Sequence, residues 1–466
     1  MIRLDYALKV VYAWMGPKGP IWNTELPTVM SFAHAGEEMS PHSRMWWQDD
    51  LWLRIFRYKK ENWILWANSE VTDKDIFVYP YSLTWRIPFN NYFFGTTGIL
   101  EYSHISGHVL HQIRTGQGFI LIDLSVEAFV EEDNLQALHN YFNVTKGLPL
   151  NKIIYLTGCM NANEIYADFC KRRGIPNRPD QRLNIISNPS SQAVYARQLA
   201  EGALSEPNYD ENKIPEKVFL CWNRRFRSHR IELAIALNKH GLVDRSYYSL
   251  GLSDPEQPSS TFRNYADIYH NPYLELQGSD VENLYSKLPL KIDNHTLIEY
   301  MCEDRDMEAR GFYENSLVSL VTETNYNLST VTLTEKSFKP VKEKHPFIIV
   351  GAQGSLQAMR DLGYKTFSEF WDESYDDLHD PKARMVAIVN ICKEIGSWDN
   401  EKILDFKRRV KHILDYNFNL LRKSPEELVS ERIAKTVITQ LQKIGKIDPL
   451  KAEQMQMLFK MDVFKK

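Results

Sequence analysis

The sequence predicts an α/β protein of two halves, each built on a parallel sheet, with an aromatic-rich N-terminal elaboration and a helical C-terminal tail. Three observations predict it. From about residue 103, short apolar runs end in Gly, Asp, Ser or Thr and lead into segments of helical spacing, the pattern of βαβ units. That pattern lapses in the polar stretch SEPNYDENKIPE at 205–216 and then resumes, which marks a linker between two halves. The 466 residues, 43% hydrophobic and 25% charged, have ordinary globular composition and are enough for about three domains.

The elements follow in order. Residues 1–102 hold eight of the eleven tryptophans: Trp14, Trp22, Trp46, Trp47, Trp52, Trp63, Trp66 and Trp85. In 103–208 the runs Phe119–Ile122, Lys152–Leu156 and Leu183–Ile186 read as strands, and 133–142 and 161–171 as helices. In 209–396 the strands are Val218–Trp222, Leu317–Thr322 and Phe347–Gly351, with helices over 228–240 and from Ser355 to Leu362. Residues 397–466 read as a helical tail.

Charge and cysteine usage narrow the class. A net charge of −4 argues against a protein that coats duplex nucleic acid non-specifically. The five cysteines, Cys159, Cys170, Cys221, Cys302 and Cys392, contain no C-x-x-C pair, which fits a reducing cytosol better than a disulfide framework or a structural zinc site. No apolar run approaches the ~20 residues of a membrane span, and the first residues lack the pattern of a signal peptide. A cytoplasmic protein with no membrane partner is expected.

Two constellations in the second half carry chemistry. The stretch CWNRRFRSHR at 221–230 sets Asn223, Arg224, Arg225, Arg227 and Arg230 between a strand and a helix. Guanidinium forks beside free backbone N–H groups suit a phosphate or diphosphate; the alternative is a solvated basic loop. In the second, Thr334 caps a helix whose first turn carries Glu335 and Lys336 and whose buried face holds Phe338 and Val341. A carboxylate there suits a ribose diol and a lysine a phosphate; the alternative is an ordinary capped helix.

The block with Glu314-Asn315-Ser316, Thr334-Glu335-Lys336 and Pro346-Phe347-Ile348-Ile349-Val350-Gly351 resembles the donor-binding signature of the family 10 α-1,3-fucosyltransferases, with a longer gap between the first two elements. Leu362-Gly363-Tyr364 and Asp372-Glu373-Ser374-Tyr375-Asp376 are similar to glycosyltransferase-like proteins of bacteriophages. The resemblance covers about 217–376 and implies a GT-B-like architecture. Two Rossmann-like domains would face a cleft, an acceptor domain at 103–208 with 1–102 as its elaboration and a donor-binding domain at 209–396. It implies a nucleotide-sugar donor held by Asn223, Arg224, Arg225, Glu314, Asn315, Thr334, Glu335 and Lys336, and metal-independent transfer to an acceptor hydroxyl with no further cofactor. Arginine, lysine and a helix N-terminus would meet the charge of the departing diphosphate in place of a divalent cation. Asp304 and Asp306 form D-R-D, but Glu303 and Glu308 beside them read as a charged surface. The location implied is the cytoplasm of a bacterial or phage-infected cell.

Candidates for the acceptor side come from the first half. Asp123 and Glu127 follow the Phe119–Ile122 strand and are the best general-base candidates; the alternative is an N-cap and a first-turn acid. His104, His108 and His111 have helical spacing, which raises zinc, a hydroxyl-binding cleft or a base such as His108, beside plain structural roles. Trp46, Trp47 and Arg54 belong to a basic, tryptophan-rich segment at 44–66 that suits stacking on sugars or bases; the alternative is an amphipathic core segment. The sequence therefore reads as a nucleotide-sugar-dependent glycosyltransferase, and the resemblance implies a glycan hydroxyl as its default acceptor. The alternatives are a phage DNA glycosyltransferase acting on hydroxymethylated bases, a non-catalytic nucleotide- or glycan-binding protein, and a zinc hydrolase at the histidine trio.

Overall fold

A computed structural model describes residues 107–124, 130–189, 191–192, 195–196, 199, 204–223, 225–254, 257–264, 273–292, 309–423 and most of 435–453, with strand backbone at 2–6, 15–16, 19–20, 63–67 and 76–82. The chain forms two compact units, Met1–Ala193 with Pro425–Lys466, and Val194–Ser424.

The first unit is built on a six-stranded parallel sheet. Its strands are β1 (Ile2–Tyr6), β2 (Trp63–Ala67), β3 (Ile76–Ser82), β4 (Gln117–Leu124), β5 (Ile153–Thr157) and β6 (Asn184–Ser187), in the order β2-β1-β3-β4-β5-β6. Its described helices include α1 (Gly107–Thr115), α2 (Glu132–Leu138) and α3 (Ala162–Arg172). The apolar run Phe119–Ile122 is wholly buried, as a strand covered on both faces must be. Ile120 and Ile122 pack with Leu135, Leu138, Phe142, Tyr155 and Phe169 in one core. The helix expected over 133–142 instead passes at His139 into a π-turn running to Thr145. That turn buries His139, whose Nε2 lies 2.9 Å from the Tyr166 hydroxyl. Residues 435–443 are helical and belong to this unit, where the Gln440 amide donates to Asn184 Oδ1 at 2.7 Å.

The second unit has a four-stranded parallel sheet of β7 (Lys217–Cys221), β8 (Ser246–Tyr248), β9 (Ser316–Thr322) and β10 (Phe347–Val350), in the order β8-β7-β9-β10. Among the described residues the helices with it are α4 (Ser228–Lys239), α5 (Gly278–Tyr285), α6 (Arg310–Glu314), α7 (Glu335–Lys342), α8 (Ser355–Asp361), α9 (Pro381–Gly396) and α10 (Asn400–Leu421). Ten consecutive residues of α4, His229 to Asn238, are buried, so it is a central helix rather than an amphipathic surface one. Asp380 caps α9 from the Lys382 and Ala383 amides, with Pro381 at the first helical position, where its missing N–H costs nothing.

The expected helical tail at 397–466 is not one piece. Helix α10 belongs to the second unit, where Phe406 packs on Trp371, Phe370 and Trp398, whereas 435–453 belongs to the first. The contact boundary lies at 193/194, ahead of the expected 208/209, because residues such as Ser205 and Glu206 bond to Arg310 and Lys344 of the second unit. The four described cysteines are buried. Among the described residues no helix is long and apolar enough to cross a membrane.

Candidate functional site

The topology selects one end of the second sheet. The chain runs from β7 to β8 on one side and then returns to place β9 on the other. The carboxyl ends of β7 and β9 therefore flank a topological switch, where open parallel sheets bind ligands.

The residues at that point form a connected cluster. Thr322, last in β9, donates to Asn223 Oδ1 at 2.7 Å and so ties the ends of the two strands together. Asn223 is buried, and its amide is spent on this link and on Cys221 Sγ. Arg230 is also buried; its guanidinium donates to the carbonyls of Arg225, Thr322 and Glu323. Beside it, His229 Nε2 is 2.9 Å from the Glu323 carbonyl, and burial together with Arg230 pushes its imidazole down to about 3. His229 is thus a neutral structural group.

Arg225 is fixed by a buried acid. Its Nε donates to Asp254 at 3.1 Å, and Asp254 also accepts from the Phe226 amide, while the arginine side chain keeps 27% of its exposure. Arg227 precedes α4 and donates to the Phe226 carbonyl. Arg224 lies outside the described residues.

Helix α7 completes the cluster. Thr334 is its N-cap, and its hydroxyl oxygen accepts from the Lys336 amide and, at 3.1 Å, from the Lys336 ammonium. The ammonium also pairs with Glu335 at 2.7 Å. Burial works against ionising Glu335, but Lys336 and Lys339 outweigh it and hold the carboxyl at about 2. Phe338 and Val341 anchor the helix in the core, as their spacing predicts.

The sequence reading misses Glu323. This fully buried carboxylate follows β9 and accepts from the Thr334 amide and hydroxyl and from the Ser337 hydroxyl. Glu314 and Asn315, matched to the Glu-Asn-Ser of the resemblance, stand at the amino-terminal end of β9, the opposite end from Thr334. Glu314 ends α6 on the surface, and Asn315 accepts from Lys213 at 2.6 Å. A seven-residue strand separates the two ends, so the acidic residue that reaches the Thr-Glu-Lys helix is Glu323. The available signal was an acid immediately after a buried apolar run.

A cavity of about 190 Å³ lies at that amino-terminal end, lined by Tyr209, Lys213, Ser316, His345 and Lys407 among others. It is remote from the switch point, and its lysines are already engaged: Lys213 with Asn315, Lys344 with Glu206 and Asp415, and Lys407 with the Lys213 carbonyl.

In the first unit, Asp123 pairs in register with Ser82 of β3 and Leu156 of β5, so its backbone stands at the carboxyl end of β4. His108 falls on α1, and His111 is exposed on the same helix. Glu127, His104, Trp46, Trp47, Arg54, Asp304 and Asp306 lie outside the described residues. Among the described residues no group of three or more His, Cys, Asp or Glu is arranged to hold a metal ion.

No family model and no curated protein matches the chain. Solved structures do. An α,α-trehalose-phosphate synthase (UDP-forming) from Burkholderia vietnamiensis is 10% identical, with 86% of this chain and 78% of that one covered and a TM-score of 0.40. The trehalose-6-phosphate synthase OtsA is 12% identical over 78% of this chain and 72% of its own, also at 0.40. The N-terminal domain of a Candida albicans trehalose-6-phosphate phosphatase is 8% identical over 82% and 73%, at 0.38.

Proposed function

We propose that the chain is a nucleotide-sugar-dependent glycosyltransferase of the GT-B class whose second unit holds the donor diphosphate. The observation that carries this reading is the meeting, at a parallel-sheet switch point, of the arginine loop that Arg230 ties to the Arg225, Thr322 and Glu323 carbonyls with the Lys336-bearing N-terminus of α7 that Glu323 holds through Thr334. A helix N-terminus and basic side chains stabilise a diphosphate in the ground state and, more strongly, as negative charge grows on it during departure. Glu335, ionised and partly open, is suited to accept hydrogen bonds from a ribose diol. The acceptor is a glycan hydroxyl, and Asp123, at a strand's carboxyl end, is the candidate to take its proton.

A thermal-shift panel of nucleotide-sugars tests the reading. A ligand bound only by the folded chain, at 100 times its Kd, adds ~2.7 kcal/mol of stability. At least one member is expected to raise Tm, with the shift lost in Lys336→Ala. A wild-type Tm unmoved by every member would contradict the reading.

A further inference from the structure

Glu323 is an expensive residue for its position. It is 0% exposed, and among the described residues no lysine or arginine is in ion-pair contact with its carboxylate. Burying a charge costs far more than burying a neutral cap would, and the buried Arg230, which donates to the Glu323 carbonyl, offsets that cost electrostatically without bonding to the carboxylate. What meets the charge is a set of donors from α7 and its approach. Thr334 Oγ1 donates at 2.7 Å, the Thr334 amide at 3.0 Å, Ser337 Oγ at 2.6 Å and the Thr324 amide at 3.3 Å.

The consequence lies in the direction of one proton. An ionised carboxylate only accepts hydrogen bonds, and a threonine hydroxyl has a single hydrogen to give. With that hydrogen committed to Glu323, Thr334 Oγ1 is fixed as an acceptor, and both groups that approach it are donors of Lys336: its amide at 3.4 Å and its ammonium at 3.1 Å. A glutamine at 323 removes this constraint, because its NH₂ could donate to Thr334 and release the hydroxyl hydrogen toward Lys336. We propose that Glu323 is a positioning residue for the donor site: it orients the Thr334 hydroxyl, which in turn aims the Lys336 ammonium. The proposal rests on the donor-site reading above.

Isothermal titration of the full chain with GDP and with UDP tests it. Glu323→Gln and Thr334→Val are each expected to weaken binding of the nucleotide that the wild type binds about tenfold, a loss of about 1.4 kcal/mol. The double variant should be no weaker than about the worse single, because both cut the same line. Thr334→Ser, which restores the hydroxyl, should recover affinity lost in Thr334→Val. Asp380→Ala removes the cap of a different helix, α9, and leaves the Glu323–Thr334–Lys336 line intact; it should lower Tm and leave Kd within twofold, which separates orientation from simple stabilisation. If Glu323→Gln fails to fold, Thr334→Val and its serine rescue carry the test. Wild-type Kd in Thr334→Val, or fully additive losses, overturns the positioning role while binding lost in Lys336→Ala leaves the donor reading standing. No binding of either nucleotide by the wild type overturns both.

Discussion

Lys336 and Arg225 differ in what their removal exposes. Among the described residues the Lys336 ammonium bonds to Thr334 and Glu335, so Lys336→Ala should lower Tm modestly through the lost pair with Glu335 and weaken nucleotide binding by ~1.5–3 kcal/mol, the range for a lost charge-assisted contact. Arg225 also compensates the buried Asp254, so Arg225→Ala should lower Tm as well as affinity; differential scanning fluorimetry beside titration separates the two. Glu335 makes an acid-side prediction. Its folded pKa of about 2 lies below the ordinary 4.5, so its contribution is complete above about pH 4.5 and is lost as pH falls toward 2. Glu335→Gln should flatten the fall in Tm over that window. Glu232 has the opposite sign. Burial raises its carboxyl to about 7 despite bonds from the Tyr273 and Leu274 amides, so its contribution is lost as pH rises from 4.5 through 7. Glu232→Gln should remove that decline, read as Tm against pH. At this scale the sequence reveals residue types but not their partners. Four arginines after a strand read, in the sequence, as an anion site, yet Arg230 bonds to carbonyls more than ninety residues away and Arg225 to an acid 29 residues on.

Elements were more legible than residues, because periodicity is local. The runs at 119–122, 152–156, 317–322 and 347–351 coincide with strands to within two residues at their ends, and Thr334 caps α7 as its hydroxyl and the following apolar spacing require. What periodicity does not show is which end of a strand faces the ligand. Glu-Asn-Ser stands at the amino-terminal end of β9, and the parallel pairing with β7 and β10 sets Glu323 and Thr334 at the other. Cap strength makes a prediction here. Asp380→Ala removes a side chain that accepts from two amides of α9 and should cost about 0.5–2 kcal/mol in urea unfolding, with nucleotide affinity unaffected.

For the whole molecule, the sequence carries the alternation of strands and helices but not the partition of the C-terminal segment. The sequence reads helix α10 and residues 435–453 as parts of one helical tail, and only their tertiary partners assign one to each unit. The β2-β1-β3 and β8-β7-β9 orders put a switch point in each sheet, a consequence of chain return that no local signal reports. The central claim concerns the second of these: basic groups there hold a diphosphate and stabilise it as a leaving group. Release of free nucleoside diphosphate from a panel of nucleotide-sugars, followed by chromatography for the wild type and Lys336→Ala, tests it most directly. The account predicts release from at least one wild-type reaction and a loss of about ten- to hundredfold in the variant. Release at the wild-type rate in Lys336→Ala, or from no donor at all in the wild type, would contradict it.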